Sequence, residues 1–331
     1  MVSVHTFELA KEVKGDIFKM WRDKVKNKKK FNSDRNTDYF FTEKGITIQY
    51  EKSKFKKYIK IRVNPSRILG GDDIPKLWKI TEKNVCRMLR SLETFIDEYF
   101  ESKYEINSFT LTRIDFTTNI KFNDKELVGD YITVLRSIGK VKGFSPKFEK
   151  TSEEFKRKTS YDLSGNSNGV EFTAYDKESE VKDREPEFKR EEMRRKAKGI
   201  LRVEVRLITQ KAIHKYTEQD STINRLVDLI EKHNDIFANI ILKVVPFGDF
   251  HKKSNAVKMI EENVSKGTIR RKMLQLLELI PKKKSLLLAQ RELNYRKIDK
   301  VMDEFIKLEL SPVTISKRQD IKHLRNLYFY I

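Results

Sequence analysis

Three short segments of this chain alternate apolar with polar residues at a period of two, which restricts each of them to a β-strand with two unlike faces. The segments are residues 112–118, 169–177 and 201–207. In each segment one face carries branched or aromatic side chains that suit a core, while the other carries charged and hydroxyl groups. A helix would scatter both sets around its axis, so the pattern predicts a sheet with one chemically loaded face.

The loaded face combines two acids, a tyrosine and several cations, provided that the three strands are neighbours. These residues are Asp115, Glu204, Tyr175, Lys177, Arg113 and Arg206. A hard divalent cation such as Mg²⁺ or Mn²⁺ prefers carboxylate oxygens, and it commonly uses one or two of them together with water and a substrate phosphate. The face therefore predicts a phosphoryl-transfer site in which Asp115 and Glu204 hold Mg²⁺ or Mn²⁺.

A tyrosine nucleophile needs electrostatic help, because a free tyrosine has a pKa of about 10. Lys177, Arg113 and Arg206 are the candidates to lower that pKa and to neutralise charge on the phosphate. A simpler explanation of the same pattern is an exposed antiparallel face on which Arg and Glu pair across strands, each pair contributing about 0.2–1 kcal/mol. From the pattern alone, that simpler explanation is favoured.

The rest of the first two thirds of the chain predicts an α+β fold with a largely antiparallel sheet covered by helices. Additional strands are expected at residues 2–9, 45–50 and 58–63, the last two as a hairpin. Helices are expected at residues 17–30, 75–99, 124–138 and 186–198. Thr81 is a candidate cap within the second of these helices, and Gly199 is expected to end the fourth.

Beyond residue 210 the apolar spacing becomes helical. Helices are expected at residues 223–230, 236–244, 255–264, 268–280, 286–293 and 295–308, and short strands at residues 313–315 and 327–331. Short helices followed by two small strands are typical of a winged-helix or helix-turn-helix module. We therefore expect two domains, residues 1–215 and a smaller helical domain of residues 216–331 that binds DNA.

The charge of the chain supports a polyanionic partner. Lys and Arg number 70 against 49 Asp and Glu, a net charge of +21. Residues 251–331 hold 19 of the basic and 9 of the acidic residues, so 10 of the 21 excess charges lie there. A lysine-rich solvated surface explains part of this excess but not its concentration, which indicates contacts with DNA phosphates. The expected contact residues are Lys282, Lys283, Lys284, Arg296 and Lys297.

The sequence also predicts where the protein works. The single cysteine, Cys86, cannot form an internal disulfide, which suits a reducing compartment. No apolar run reaches the ~20 residues of a membrane span. We therefore expect a soluble protein of the cytoplasm with no membrane partner.

Four segments in order resemble the replication initiators of filamentous phages, which are related to the rolling-circle initiators of plasmids. They are residues 62–69 (RVNPSRIL), 112–115 (TRID), 173–177 (TAYDK) and 201–207 (LRVEVRL). The resemblance implies that Tyr175 attacks one strand at a replication origin, forms a 5′-phosphotyrosine link and frees a 3′-hydroxyl primer. Reversal of the step rejoins the strand.

The resemblance places Asp115 and Glu204 at the acidic positions of their motifs and implies that they bind the metal. Many nicking enzymes use a His-x-His metal pair instead, but the five histidines of this chain are scattered. Tyr161 is the rival nucleophile, and its strand is expected to pair with that of Tyr175. We interpret Tyr161 as a packing residue or as a platform on which bases stack.

The resemblance implies origin duplex, single-stranded DNA and the replication helicase and polymerase of a bacterial host as partners, all in the host cytoplasm. Two other functions stay open. A non-catalytic DNA-binding regulator would use the basic residues without the chemistry, and a relaxase of a conjugative element would make the same cut for a different purpose.

Overall fold

The computed structural model describes residues 1–14, 16, 19, 31–33, 39–52, 56–72, 74–100, 104–147, 159–184 and 187–331. Apart from residue 19, the helix expected at residues 17–30 lies outside the described residues. Contacts divide the chain into two compact units, each assembled from three stretches of sequence. The first unit comprises Met1–Thr118, Asn168–Val170 and Val205–Phe237, and the second comprises Asn119–Ser167, Glu171–Glu204 and Ala238–Ile331.

Ten strands of the described chain belong to one sheet. They are β1 (Ser3–Glu12), β2 (Phe31–Ser33), β3 (Tyr39–Glu43), β4 (Ile46–Lys52), β5 (Lys57–Val63), β6 (Thr110–Lys121), β7 (Phe144–Pro146), β8 (Ser160–Gly165), β9 (Val170–Asp176) and β10 (Ile200–Leu207). Their order is β2-β3-β4-β5-β1-β6-β10-β9-β8-β7. The three strands with loaded faces, β6, β10 and β9, are therefore consecutive, which meets the condition on which the sequence-based site depends.

The helices of the described chain lie between and after these strands. They are α1 (Pro65–Ile68), α2 (Glu82–Phe100), α3 (Glu126–Ile138), α4 (Lys177–Arg184), α5 (Glu187–Ala197), α6 (Gln210–His214), α7 (Thr222–Glu231), α8 (His233–Val244), α9 (Lys253–Asn263), α10 (Gly267–Lys283), α11 (Leu286–Leu293) and α12 (Ile298–Lys307). Together with the antiparallel pairing of β1 with β5 and of β8 with β9, they confirm the α+β class. No helix in the described ranges combines the length and hydropathy that a bilayer span requires.

In the first unit, the hairpin expected from alternation is confirmed. Strands β4 and β5 pair antiparallel with Ile48 opposite Ile61, and both side chains are fully buried. Helix α2 begins at Glu82 rather than at residue 75, because the Thr81 hydroxyl accepts the backbone N–H of Asn84 at 3.2 Å and so caps the first turn. Its buried face, which includes Met88, packs as apolar periodicity predicts.

In the second unit, the charged helix expected at residues 186–198 is confirmed as α5, preceded by a separate helix, α4. Gly199 follows α5 with a φ of +69°, the left-handed conformation that commonly ends a helix. A Cβ at Gly199 would lie 2.7 Å from the carbonyl oxygen of Phe122, so glycine is required there on two grounds.

The strand expected at residues 327–331 is wrong. This segment is a 3₁₀ helix, Leu327–Tyr330, whose first turn is capped by the Asn326 side chain accepting the N–H of Tyr328 at 3.3 Å. A short run of apolar residues is compatible with a strand or a 3₁₀ helix, and here the Asn326 cap favours the helix. Residues 313–315 contribute only one isolated bridge, between Ile315 and Lys252.

A winged-helix module is not confirmed. The small second sheet is formed by β11 (Phe250–His251) and β12 (His323–Leu324), not by the strands expected for a wing. The expected boundary after residue 215 also falls inside Val205–Phe237, which belongs to the first unit as a whole. Each unit is assembled from segments that are distant in sequence, so no single cut of the chain separates the two units.

Candidate active site

The second unit contains a polar group around Tyr175, which we call the Tyr175 cluster: Tyr175, Glu204, Arg202, Lys177 and Glu180. Tyr175 lies on β9 and Glu204 on β10. The Tyr175 hydroxyl donates a hydrogen bond of 2.8 Å to Oε1 of Glu204. Glu204 is 2% exposed, whereas the Tyr175 side chain is half-buried. A phenol is thus held against a desolvated carboxylate.

The surroundings of Tyr175 favour its neutral form. Burial raises the pKa of the phenol well above its usual value, and the negative charge of Glu204 raises it further. The positive charge of Arg202 acts in the opposite direction. In the absence of substrate the phenol therefore keeps its proton and donates it in the hydrogen bond to Glu204.

Two buried cations complete the Tyr175 cluster. Arg202 is fully buried, and its Nε donates to Oδ1 of Asn119 at 2.8 Å. Lys177 is 5% exposed, forms a 2.7 Å ion pair with Glu180, and has its ammonium 6.0 Å from the centre of the Tyr175 ring. The polar face of the sheet is therefore buried in this unit. The simpler explanation, Arg and Glu pairing across strands, requires an exposed face.

The first unit contains a second polar group, the Asp115 cluster: Asp115, Arg113 and Thr6. Asp115 is 2% exposed. Arg113 binds it with two hydrogen bonds of 2.7 Å, from Nε to Oδ1 and from Nη2 to Oδ2, and Thr6 donates to Oδ2 at 2.6 Å. Burial lowers the pKa of Arg113, but the bonds and charge of Asp115 outweigh that effect and raise it.

An irregular strand pairing places Thr6 in this cluster. The register of β1 against β6 shifts between Val4 and Thr6 and again between Glu8 and Leu9, which sets Thr6 opposite Asp115. Such bulges re-aim side chains and are common beside active sites. Arg206, also in this unit, is half-buried, and its positive charge lowers the pKa of Arg113, against the larger effect of Asp115.

The donor atoms of both clusters fit a hard divalent cation, because they are carboxylate oxygens. Within the described chain no group of three or more His, Cys, Asp and Glu side chains is placed to hold a metal together. Both oxygens of Asp115 are bound to Arg113, so a cation at Asp115 has to share them. Glu204 has Oε1 bound to the phenol.

Tyr161 occupies a different environment from Tyr175. It lies on β8, which pairs with β9 as expected, with Tyr161 opposite Ala174 and Ser160 opposite Tyr175. Tyr161 is 4% exposed and its hydroxyl donates to the carbonyl of Gly139 at 2.7 Å. This geometry leaves Tyr161 no free face on which a base can stack.

The basic candidates lie at the ends of the late helices. Lys282 and Lys283 are in the last turn of α10, and Lys283 pairs with Glu292 at 3.4 Å. Lys284 follows with a φ of +49°. Arg296 and Lys297 precede α12, and all five basic side chains are exposed.

Sequence reasoning missed Thr6 and Glu180. Glu180 lies three residues after Lys177 in α4, a spacing that brings side chains together on a helix and that is visible in the sequence. Thr6 had no comparable signal, because its position depends on the shifted register of β1.

Known proteins resemble this chain to very different degrees. None of the curated proteins matches the chain. Among solved structures, a rolling circle replication initiator protein from Geobacillus stearothermophilus is similar over 73% of this chain and 84% of that chain, with 11% sequence identity and a TM-score of 0.35. That likeness is too distant to carry an argument.

A family model of phage replication-associated proteins, which describes their N-terminal region, matches residues 8–225. The match covers more than half of the 331 residues and includes all four motifs. It confirms the resemblance to phage replication initiators, and the chain belongs to this family of phage replication-associated proteins.

Proposed function

We propose that this chain is a rolling-circle replication initiator that nicks and rejoins one DNA strand, with Tyr175 as the nucleophile. The observation that carries the proposal is the 2.8 Å hydrogen bond from the Tyr175 hydroxyl to a carboxylate that is 2% exposed. A nucleophile in hydrogen-bond contact with a base is the arrangement that covalent catalysis requires. Membership of a replication-protein family supports the choice of DNA as substrate.

The Tyr175 cluster supplies both the nucleophile and the base for the proposed step. Oη of Tyr175 attacks the phosphorus, and its proton passes to Oε1 of Glu204. The bond from phosphorus to the 3′ oxygen breaks, and that oxygen leaves with the electron pair and takes a proton from solvent. The products are a 5′-phosphotyrosine and a free 3′-hydroxyl, and attack by that hydroxyl reverses the step.

The neighbouring cations assist this step. Arg202 opposes the rise in the pKa of Tyr175, and its burial strengthens its effect on charge that develops nearby. A DNA phosphate brings further negative charge, which Lys177 is positioned to offset once it is released from Glu180. From the sequence, we propose that Arg113 and Arg206 also neutralise charge on the phosphate.

The metal is a separate proposal that rests on the sequence and on donor chemistry. Glu204 and Asp115 would bind Mg²⁺ or Mn²⁺, which supplies positive charge to phosphate oxygens when bound. Mn²⁺ binding followed by electron paramagnetic resonance tests this without any cleavage. Binding should weaken in Glu204→Gln and Asp115→Asn, and binding unchanged in both variants would remove the metal from this account.

The nucleophile is tested by trapping the covalent adduct. A library of single strands with a random central region, labelled at the 3′ end, is incubated with the full-length protein and Mg²⁺ or Mn²⁺. The label should become attached to the protein, because the fragment on the 3′ side of the nick stays bound through its 5′ phosphate. Mass spectrometry of the labelled peptide should identify Tyr175.

Matched variants sharpen this test. Tyr175→Phe should abolish the adduct, whereas Tyr161→Phe should keep it. Glu204→Gln should slow adduct formation by about 10²–10⁴-fold. Glu171→Gln is the control, because Glu171 is a buried β9 carboxylate paired with Lys147 at 2.7 Å and lies outside the Tyr175 cluster. An adduct that persists in Tyr175→Phe would refute the assignment.

The partners are proposed on the same basis. Origin duplex and single-stranded DNA are the substrates, and a host helicase and polymerase would extend the freed 3′-hydroxyl. DNA binding by the wild-type protein without an adduct under any divalent metal would favour a non-catalytic regulator instead.

A further inference from the structure

The late helices of the second unit form a groove that the proposed chemistry does not use. Its volume is about 430 Å³, within the range of about 300–1,000 Å³ that is usual for ligand sites. Residues of α10, of α12 and of the connection before α12 line it. We call it the Tyr295 groove.

The aromatic member of the groove is suited to stacking. Tyr295 is half-buried and lines the groove, and the Lys272 ammonium lies 5.6 Å from the centre of its ring. Ile269, 8% exposed, adds an apolar wall. A ring held beside a cation and open to a groove is the kind of platform on which an unpaired base stacks.

The cations of the groove are placed to bind phosphates. Lys266, Lys297 and Lys300 line it, all three are exposed, and none forms an ion pair with another residue that the structure describes. Lys307 differs, because it is paired with Glu304 at 2.8 Å. Counting the four lysines against two acids, Asp303 and Glu304, leaves the groove with a charge of +2.

We propose that the Tyr295 groove binds single-stranded DNA, with one base stacked on Tyr295 and adjoining phosphates contacted by Lys297, Lys300 and Lys266. The inference rests on the proposed function, since nicking and displacement generate the single strand. Single-stranded DNA fits better than duplex, because a base that stacks on a side chain has to leave its own stack. The site lies in the part of the chain beyond the family match, which ends at residue 225.

The first experiment measures binding without cleavage. Fluorescence anisotropy of a labelled oligo(dT) with full-length protein in EDTA gives the Kd. Tyr295→Leu should weaken binding by about tenfold, and Tyr295→Phe should stay within about twofold of wild type, because the ring is what stacks. Phe329→Leu is the control, since Phe329 is 62% exposed and lies outside the groove.

The second experiment measures how many phosphates the groove binds. For single strands the slope of log K against log salt falls by about 0.7 for each phosphate that the protein no longer neutralises. The double variant Lys297→Gln/Lys300→Gln should therefore reduce the slope by about 1.4. Lys243→Gln/Lys258→Gln removes two exposed charges of the same unit outside the groove and should leave the slope as in wild type.

The outcomes separate this inference from the proposed function. If the Tyr295→Leu variant binds oligo(dT) as tightly as wild type, the groove assignment is overturned, even when the same preparation forms the Tyr175 adduct. Equal weakening of oligo(dT) and of a hairpin duplex overturns the choice of single strands. If the wild-type protein forms no adduct but its oligo(dT) binding depends on Tyr295, the nicking proposal is overturned and the groove assignment stands.

Discussion

At the scale of single residues, the hydroxyl partner separates two tyrosines on paired strands. Tyr175 donates to the carboxylate of Glu204, which can take a proton, whereas Tyr161 donates to the carbonyl of Gly139, which cannot. Alternation along a strand cannot make this distinction, because it gives a side chain's face but not the atom opposite it. The proposal for Tyr175 depends on that difference in partner.

The buried hydrogen bond of Tyr161 predicts how the stability of the protein depends on pH. Tyr161→Phe should lower the free energy of unfolding at pH 7 by about 1–2 kcal/mol, because the Gly139 carbonyl loses its buried donor. Burial raises the pKa of Tyr161, so its contribution is complete below the ordinary tyrosine pKa of about 10 and is lost as the pH rises above it.

Urea unfolding between pH 7 and pH 11 checks this prediction. The difference between wild type and Tyr161→Phe should narrow above about pH 10, by at most about 1.4 kcal/mol per pH unit for one proton. A constant difference over the whole range would mean that Tyr161 ionises equally in the folded and unfolded states.

At the scale of elements, glycine positions give an opposed pair of predictions. Gly199→Ala should destabilise the protein by more than about 1 kcal/mol, because of the positive φ and the Phe122 carbonyl 2.7 Å from the new Cβ. Gly129→Ala, in the interior of α3 with nothing within 4 Å of its Cβ, should instead stabilise it by about 1 kcal/mol. Thermal unfolding measures both, and a loss of stability in both would contradict the argument.

Most elements were predictable from sequence, and the failures have physical causes. Strands β6, β9 and β10 follow from alternation, because each buries one apolar face. Residues 327–331 failed, because a run of apolar residues does not distinguish a strand from a 3₁₀ helix without its cap. The start of α2 was misplaced because apolar residues at helical spacing extend back to Leu77, whereas the bond from Asn84 to the Thr81 hydroxyl begins the helix at Glu82.

The candidate site was predictable in composition but not in geometry. Alternation put Tyr175 and Glu204 on loaded faces, and the strand order sets β9 beside β10. Arg113 and Asp115 lie two residues apart on one face of β6, as alternation predicts, but the bulge that aims Thr6 at Asp115 has no signature in the sequence, because it depends on the register of β1. Burial of Lys177 and Arg202 was equally hidden.

At the scale of the whole molecule, the net charge of +21 predicts strongly salt-dependent DNA binding. Affinity for non-specific duplex should fall by about 10³-fold or more between about 50 and 200 mM salt, if six or more phosphates are bound. The triple variant Lys282→Gln/Lys283→Gln/Lys284→Gln should reduce the salt slope by up to about 2.7, at about 0.9 per phosphate.

A salt titration followed by anisotropy provides the measurement. Lys76→Gln/Lys79→Gln/Lys83→Gln, three exposed lysines of the first unit, is the charge-matched control. Equal slopes for both triple variants would show that total charge, and not the residues at the end of α10, sets the affinity.

The division of the chain into interleaved units also bears on biosynthesis. The first unit takes its last segment from Val205–Phe237, and the second opens at Asn119 yet needs Ala238–Ile331. During translation neither unit has all its parts until long after its earliest strands have left the ribosome. A nonsense mutation before residue 238 therefore leaves neither unit with all its segments, and genetic exchange between residues 119 and 237 alters both units at once.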